Sequence, residues 1–173
     1  MLLLVTSVAH AEGLSLQKGT MQLGGTATFD IEVVMPDEGD NTTGFSLNLA
    51  PSFGYFIMDN LQLFGQLSFH MGFGDLFDDS KTFGLGVGAK YFLPLGSLVG
   101  YAGLGVGLDL HMPDGGDTMK YLPISVPLGI LLPFNRHVAL DLGTRLTYTL
   151  ALDDGGASKF HVPIGYLGVQ AFF

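Results

Sequence analysis

Residues 20–33 read TMQLGGTATFDIEV. The odd positions are Met21, Leu23, Gly25, Ala27, Phe29, Ile31 and Val33; the even positions are Thr20, Gln22, Gly24, Thr26, Thr28, Asp30 and Glu32. An amphipathic helix would repeat its apolar positions every three or four residues, whereas a period of two marks a strand with one apolar and one polar face. The same alternation recurs. Phe45, Leu47, Leu49, Phe53 and Tyr55 alternate with Ser46, Asn48, Ala50, Ser52 and Gly54. Leu61, Leu63, Leu67, Phe69 and Met71 alternate with Gln62, Gln66, Ser68 and His70, and Phe83, Leu85, Val87, Ala89 and Tyr91 with Gly84, Gly86, Gly88 and Lys90. Further runs cover 102–110, 122–132 and 138–150, and the last ends at Phe173. The pattern predicts eight strands of roughly 10–15 residues each.

The connections alternate too. PDEGDN (36–41), GDLFDDS (74–80), PDGGDT (113–118) and LDDGGAS (152–158) are polar and acidic. MDN (58–60), PLGS (94–97) and FNR (134–136) are tight. Long loops on one side and short turns on the other predict an up-and-down antiparallel barrel. Lys81, Lys120 and Lys159 each open a strand after an acidic loop and lie 39 residues apart, so the hairpin is the repeating unit.

Composition decides which face meets which solvent. Of 173 residues, 26 are Gly and 14 Phe, none is Trp or Cys, and only 13% are charged, with a net charge of −9. Mean hydropathy is nevertheless +0.41. No stretch approaches the roughly 20 apolar residues of a spanning helix, and the negative charge argues against nucleic acid. In a soluble cup with the apolar face inside, the other face would be water-exposed and about a quarter to a third charged. Here that face carries mainly Gly, Ser, Thr and Gln, with Asp30, Glu32, Lys90, Asp109, Asp141 and Arg145. It is too bare for water and suits a narrow lumen. The apolar face therefore points to lipid, where a closed barrel satisfies every backbone polar group. Inward glycines (24, 84, 86, 88, 103, 105, 107 and 143) leave room for inward Phe56, Phe64, Phe92, Tyr101 and Tyr121.

The N-terminal MLLLVTSVAHAEG has an apolar run and the small-x-small site Ala9-His10-Ala11. Residues 1–11 are read as a signal peptide remnant, although the positively charged start is missing. Residues 12–173 are then a single barrel domain. The chain closes on an outward row, Leu167, Val169, Ala171 and Phe173. Val162 and Ile164 have the opposite parity, so a bulge is expected at Pro163-Ile164-Gly165.

The terminal phenylalanine row, the signal-like start, the GTMQLGG opening strand, and PSFGYFIMDN followed by TFGLGVGAKYF carry a resemblance. Across the whole mature chain the sequence resembles the small outer-membrane barrel families of the OmpA/OmpX and opacity-protein type. That resemblance implies a terminal strand read by the barrel-assembly machinery, and a place in the bacterial outer membrane.

Three constellations are candidates for chemistry. The lumen charges Asp30, Glu32, Lys90, Asp109, Asp141 and Arg145 form either a selectivity filter or a paired plug, and Lys90 is expected to pair with Asp141, since buried charges must pair or cost several kcal/mol each. His70, His111 and His161 near the outer mouth, with Asp109, suggest either a metal site, a lipid-modifying hydrolase with Ser68 beside His70, or simple interface residues. Ten loop carboxylates show no calcium-loop pattern; they either keep the loops solvated or bind lipopolysaccharide phosphates through divalent ions, with Lys81, Lys120 and Lys159 in direct contact. Pro51, Pro123, Pro127 and Pro163 fall within strands and predict bulges or weak pairing.

The reading is an all-β, eight-stranded antiparallel up-and-down transmembrane barrel, monomeric, without a cofactor or catalytic site. Its partners are outer-membrane lipid and lipopolysaccharide. Its expected role is a non-enzymatic surface or structural one with a packed lumen; the alternatives are a narrow pore for small solutes and a lipid A-modifying enzyme.

Overall fold

The alternating runs become one continuous ladder. A computed structural model describes residues 13–34, 42–74, 81–112, 118–153, 158–162 and 165–173, with backbone alone at 29–34 and 42–44. The expected signal remnant, residues 1–11, lies outside the described residues, as do most of the acidic loops and Pro163-Ile164. Strands run β1 (Met21–Val34), β2 (Thr42–Met58), β3 (Leu61–Gly74), β4 (Lys81–Leu95), β5 (Leu98–Met112), β6 (Met119–Pro133), β7 (Val138–Ala151), β8 (Lys159–His161) and β9 (Tyr166–Phe172). Each is antiparallel to its neighbour, and β9 pairs with both β7 and β1, which closes the sheet on itself. β8 and β9 are two segments of one wall, so the barrel has eight strands.

The eighth wall strand carries a register change. Thr147 opposes His161 on β8, whereas Gly143 opposes Tyr166 on β9, one residue out of step with the upper ladder. Inside and outside therefore exchange parity. Phe160 and Val162 are exposed with the even-numbered set, while Leu167, Val169 and Phe173 are exposed with the odd-numbered set. The two described ladders thus differ in register by one residue, the offset that a bulge produces. β1 pairs with β9 only over Gln22–Ala27; among the described residues, its upper half has no ladder partner on the β8 side.

Of the two outcomes expected at the in-strand prolines, weak pairing is what Pro51, Pro123 and Pro127 show. Pro123 and Pro127 lie in β6, where the β5 ladder keeps one register from Val99–Leu131 to Asp109–Tyr121 and merely drops pairs around both prolines. Pro51 is likewise passed without a shift between the Leu49–Phe69 and Ser52–Gln66 pairs. The missing N–H weakens a rung, but the extended φ of proline still suits the strand, so no bulge is needed.

The short turns are built by residues that tolerate tight backbone. Asn60 takes φ +64° between β2 and β3, and Gly96 takes φ +72° between β4 and β5, the left-handed region that Asn and Gly enter most readily. Between β6 and β7, Asn135 Oδ1 accepts the backbone N–H groups of His137 and Val138 at 2.8 and 2.9 Å.

Outside, the wall is a continuous apolar surface. Leu23, Phe53, Leu63, Leu85, Val87, Leu104, Val106, Ile130, Leu167 and Val169 are all exposed. An unbroken apolar band of this extent is the surface of a protein that sits in a bilayer.

Candidate functional site

The lumen has two storeys. The lower one, at the short-turn end, is solid. Phe56, Phe92, Val99, Tyr101, Leu131, Ala139 and Phe172 pack together there. Phe56 has its ring centroid 5.3 Å from Phe92 and 6.3 Å from Phe172, and Phe92 lies 5.6 Å from Tyr101. Leu14 and Leu16 complete this cluster from below. The segment before β1 is laid under the barrel by backbone bonds from Ser15 N to Arg136 O, Asn60 N to Leu16 O and Gly19 N to Phe56 O, at 3.3, 2.8 and 2.8 Å. Its signal was present in the sequence as Leu14 and Leu16 alternating with Ser15 and Gln17. Reading the first strand from residue 20 missed it.

Above the aromatic cluster lies a belt of polar side chains. Gln62 donates to Gln22, and Gln22 donates to Gln170. Gln170 Nε2 then donates to Asp141 Oδ2 at 2.8 Å, and the Tyr101 hydroxyl donates to Asp141 Oδ1 at 2.6 Å. Tyr101 also shares a hydroxyl–hydroxyl bond with Tyr166. Five of the eight wall strands contribute, so the belt crosses the bore. Lys90 (5% exposed) and Asp141 (1% exposed) both face this layer.

The expected Lys90–Asp141 ion pair does not form. The structure holds Lys90 Nζ over aromatic faces instead, 4.8 Å from the Phe64 centroid and 5.2 Å from that of Tyr101. Asp141 is satisfied by its two donors, and it acts on Lys90 through space, as does Arg145. Tyr101 is a neighbour of both groups, through its ring face and its hydroxyl. Charge alone suggested the pair; cation–π attraction to desolvated rings supplies the alternative.

Small residues make this filling possible. A Cβ on Gly88 would fall 2.8 Å from the Phe64 ring, and one on Gly143 would fall 2.8 Å from the Tyr101 hydroxyl. The inward glycines thus give space to the inward aromatics, as the sequence indicated.

The upper storey is open: a cavity of about 850 Å³ bounded by hydroxyl and amide side chains. Asp109 and Arg145 line it, as do His70, His161 and Lys159. Asp30 and Glu32 lie on β1 opposite Ser46 and Gly44, outside the described side chains. Ser68 is directed at Asp109 across Gly84, where a Cβ would meet both. His111 is held by Thr82 Oγ1 at 2.9 Å and by the edge of Tyr121. No group of three or more metal-ligating side chains occurs among the described residues.

The three lysines divide. Lys81 and Lys120 stand on the outward rows of β4 and β6, opposite outward Met112 and Leu110, whereas Lys159 stands inward opposite Thr149 and lines the cavity. The terminal row is clamped to the first strand by the reciprocal Met21–Phe173 backbone bonds of 3.0 and 2.9 Å.

Solved structures share this architecture. Neisserial surface protein A is 19% identical with a TM-score of 0.59, covering 90% of this chain and 98% of that one. The outer membrane protein OprG from Pseudomonas aeruginosa is 16% identical with a TM-score of 0.55, covering 94% and 99%. The N-terminal β-barrel domain of OprF from the same organism is 16% identical with a TM-score of 0.56, covering 90% and 98%. No protein-family model matches the sequence, and no curated protein matches it. The fold is that of the small outer-membrane barrels.

Proposed function

We propose that this chain is a monomeric outer-membrane protein whose work is done at its rim and outer surface, without catalysis and without conduction through the lumen. The sealed lower storey carries this reading. Leu14, Leu16, Phe56, Phe92 and Phe172 fill the bore, and the Gln62–Gln22–Gln170–Asp141–Tyr101 belt closes the layer above. A narrow solute pore, the alternative, would have to displace both layers. Catalysis has less support, because Ser68 and Asp109 both crowd Gly84, and His111 is engaged by Thr82.

Lys81 and Lys120, outward at the acidic-loop end, are suited to lipopolysaccharide phosphates, with divalent ions linking the loop carboxylates to the same groups. Lys159 is the exception, since it faces the lumen. The outward Leu167, Val169, Ala171 and Phe173 row is suited to recognition by the barrel-assembly machinery. The test is ion conductance of the refolded protein in a planar bilayer. Folded protein that stays silent supports the reading; stable discrete steps overturn it and make the lumen charges a filter.

A further inference from the structure

The outer wall is not evenly thick. On the outward face of β5 the two successive residues Gly100 and Ala102 are small, and the ladder sets large ones on either side: Leu93 and Tyr91 on β4, Ile130 and Leu128 on β6. Tyr91, Leu93 and Ile130 are exposed, so they stand as ridges. Between them runs an apolar groove of about 720 Å³, bounded on its far side by Leu142 of β7. Inward-facing Gly129 and Gly143 also line it, so it reaches down to the backbone of the wall. Left empty, such a trough forfeits the dispersion contacts that its lining atoms could make.

Its height and the nearby charges narrow the chemistry. Gly100 lies four residues beyond Gly96 of the β4–β5 turn, roughly 13 Å along the strand, so the groove belongs to the short-turn end. The side chains there are mainly basic: among the described residues they are Lys18, Arg136 and His137 against Asp59. Arg136 is exposed in the β6–β7 turn, at the lower end of the strands that carry Ile130 and Leu142. Its Nε donates to His137 Nε2 at 3.1 Å, and the guanidinium keeps further N–H donors for a second partner.

We propose that this groove seats one anionic phospholipid of the periplasmic leaflet, with an acyl chain along Gly100 and Ala102 and the phosphate on Arg136. The groove is continuous with the apolar band that faces the bilayer, so its occupant must be apolar along its length. The exposed cation at its lower end then selects a negative head group. A second copy of the chain fits less well. Two copies share one orientation in a membrane, so packing through this face would set like-charged turns at the same height. The lysines suited to lipopolysaccharide, Lys81 and Lys120, lie at the opposite end, so the two lipid contacts are separate.

The experiment reconstitutes the full refolded barrel in vesicles of phosphatidylglycerol and phosphatidylethanolamine, extracts it into mild detergent, and counts retained lipids by native mass spectrometry. One retained phospholipid per barrel is expected, with phosphatidylglycerol favoured. Ala102→Leu fills the groove from its lipid side and should abolish retention. Arg136→Gln should lower it roughly tenfold, the value of one charge-assisted hydrogen bond. No retained lipid, no preference for phosphatidylglycerol, or retention unchanged by either substitution overturns the proposal. Dimers in place of lipid-bound monomers also overturn it, making the groove an interface between copies. If Ala102→Leu fails to fold, nuclear Overhauser contacts in the wild-type protein decide: acyl-chain protons must meet the Tyr91 ring and the Ile130 methyls, and their absence there overturns the site.

Discussion

Tyr101 serves both Lys90 and Asp141: its ring centroid lies 5.2 Å from the ammonium, and its hydroxyl donates to the carboxylate at 2.6 Å. A buried cation and a buried anion are thus held in one layer without touching. Tyr101→Phe keeps the ring but removes the donor, so it should cost about 1–3 kcal/mol, the usual penalty for an unmatched buried acceptor. Asp141→Ala should cost more, about 3–5 kcal/mol, because it strands Lys90 as well. Denaturant midpoints of the reconstituted variants test the order; an Asp141→Ala midpoint equal to wild type would mean that the belt contributes nothing.

The last two residues have opposite surroundings despite identical chemistry. Phe172 is 0% exposed within the aromatic plug, whereas Phe173 is 67% exposed on the outer wall. Phe172→Ala should destabilise by about 3–5 kcal/mol, as for other aromatic truncations in a core. Phe173→Ala should leave the unfolding midpoint nearly unchanged, and any effect should appear in assembly yield in cells. Equal losses in unfolding experiments would show that the final residue is packed after all.

Glycine placement makes a sharper test of facing. A Cβ on Gly88 would fall 2.8 Å from both Gly105 Cα and the Phe64 ring, while one on Gly65 would meet nothing nearer than Gly86 O at 4.0 Å. Gly88→Ala should therefore cost about 1–3 kcal/mol by overpacking, and Gly65→Ala should be neutral. Thermal unfolding of the pair in one detergent would expose any reversal.

The outer wall can be probed with a charge. Leu104, at the middle of β5, is 60% exposed. Leu104→Arg should cost about 2–4 kcal/mol in a bilayer, the penalty for a basic side chain at its midplane. The same substitution at inward Ser125, beside the wet cavity, should cost much less. Urea unfolding from lipid vesicles would separate the two, and equal costs would refute the assignment of faces.

Much of this architecture was legible in the sequence because a strand has only two faces. With Met21 and Leu23 assigned to lipid, the facing of the other hairpin residues followed, including the inward glycines beside Phe64. The parity break at Val162 was readable for the same reason. What parity cannot supply is the partner across the bore. Gln22, Gln62 and Gln170 looked like ordinary lumen residues, and their bonding depends on neighbours as far as 148 positions away. Lys90 and Asp141 were paired by charge sign, although ring faces were available in the same layer. The role of Phe172 was hidden by its neighbour, since the outward row drew attention to Phe173.

The plug unites Leu14, Phe56, Phe92 and Phe172, which come from nearly the full span of the chain. Such a cluster cannot form early, because the loop entropy of bringing its members together is met only once the intervening strands are paired. The seal is consequently a late event in folding, and a half-built barrel would still be a wet, open trough. The Phe56–Phe172 contact therefore forms only once the last strand has met the first.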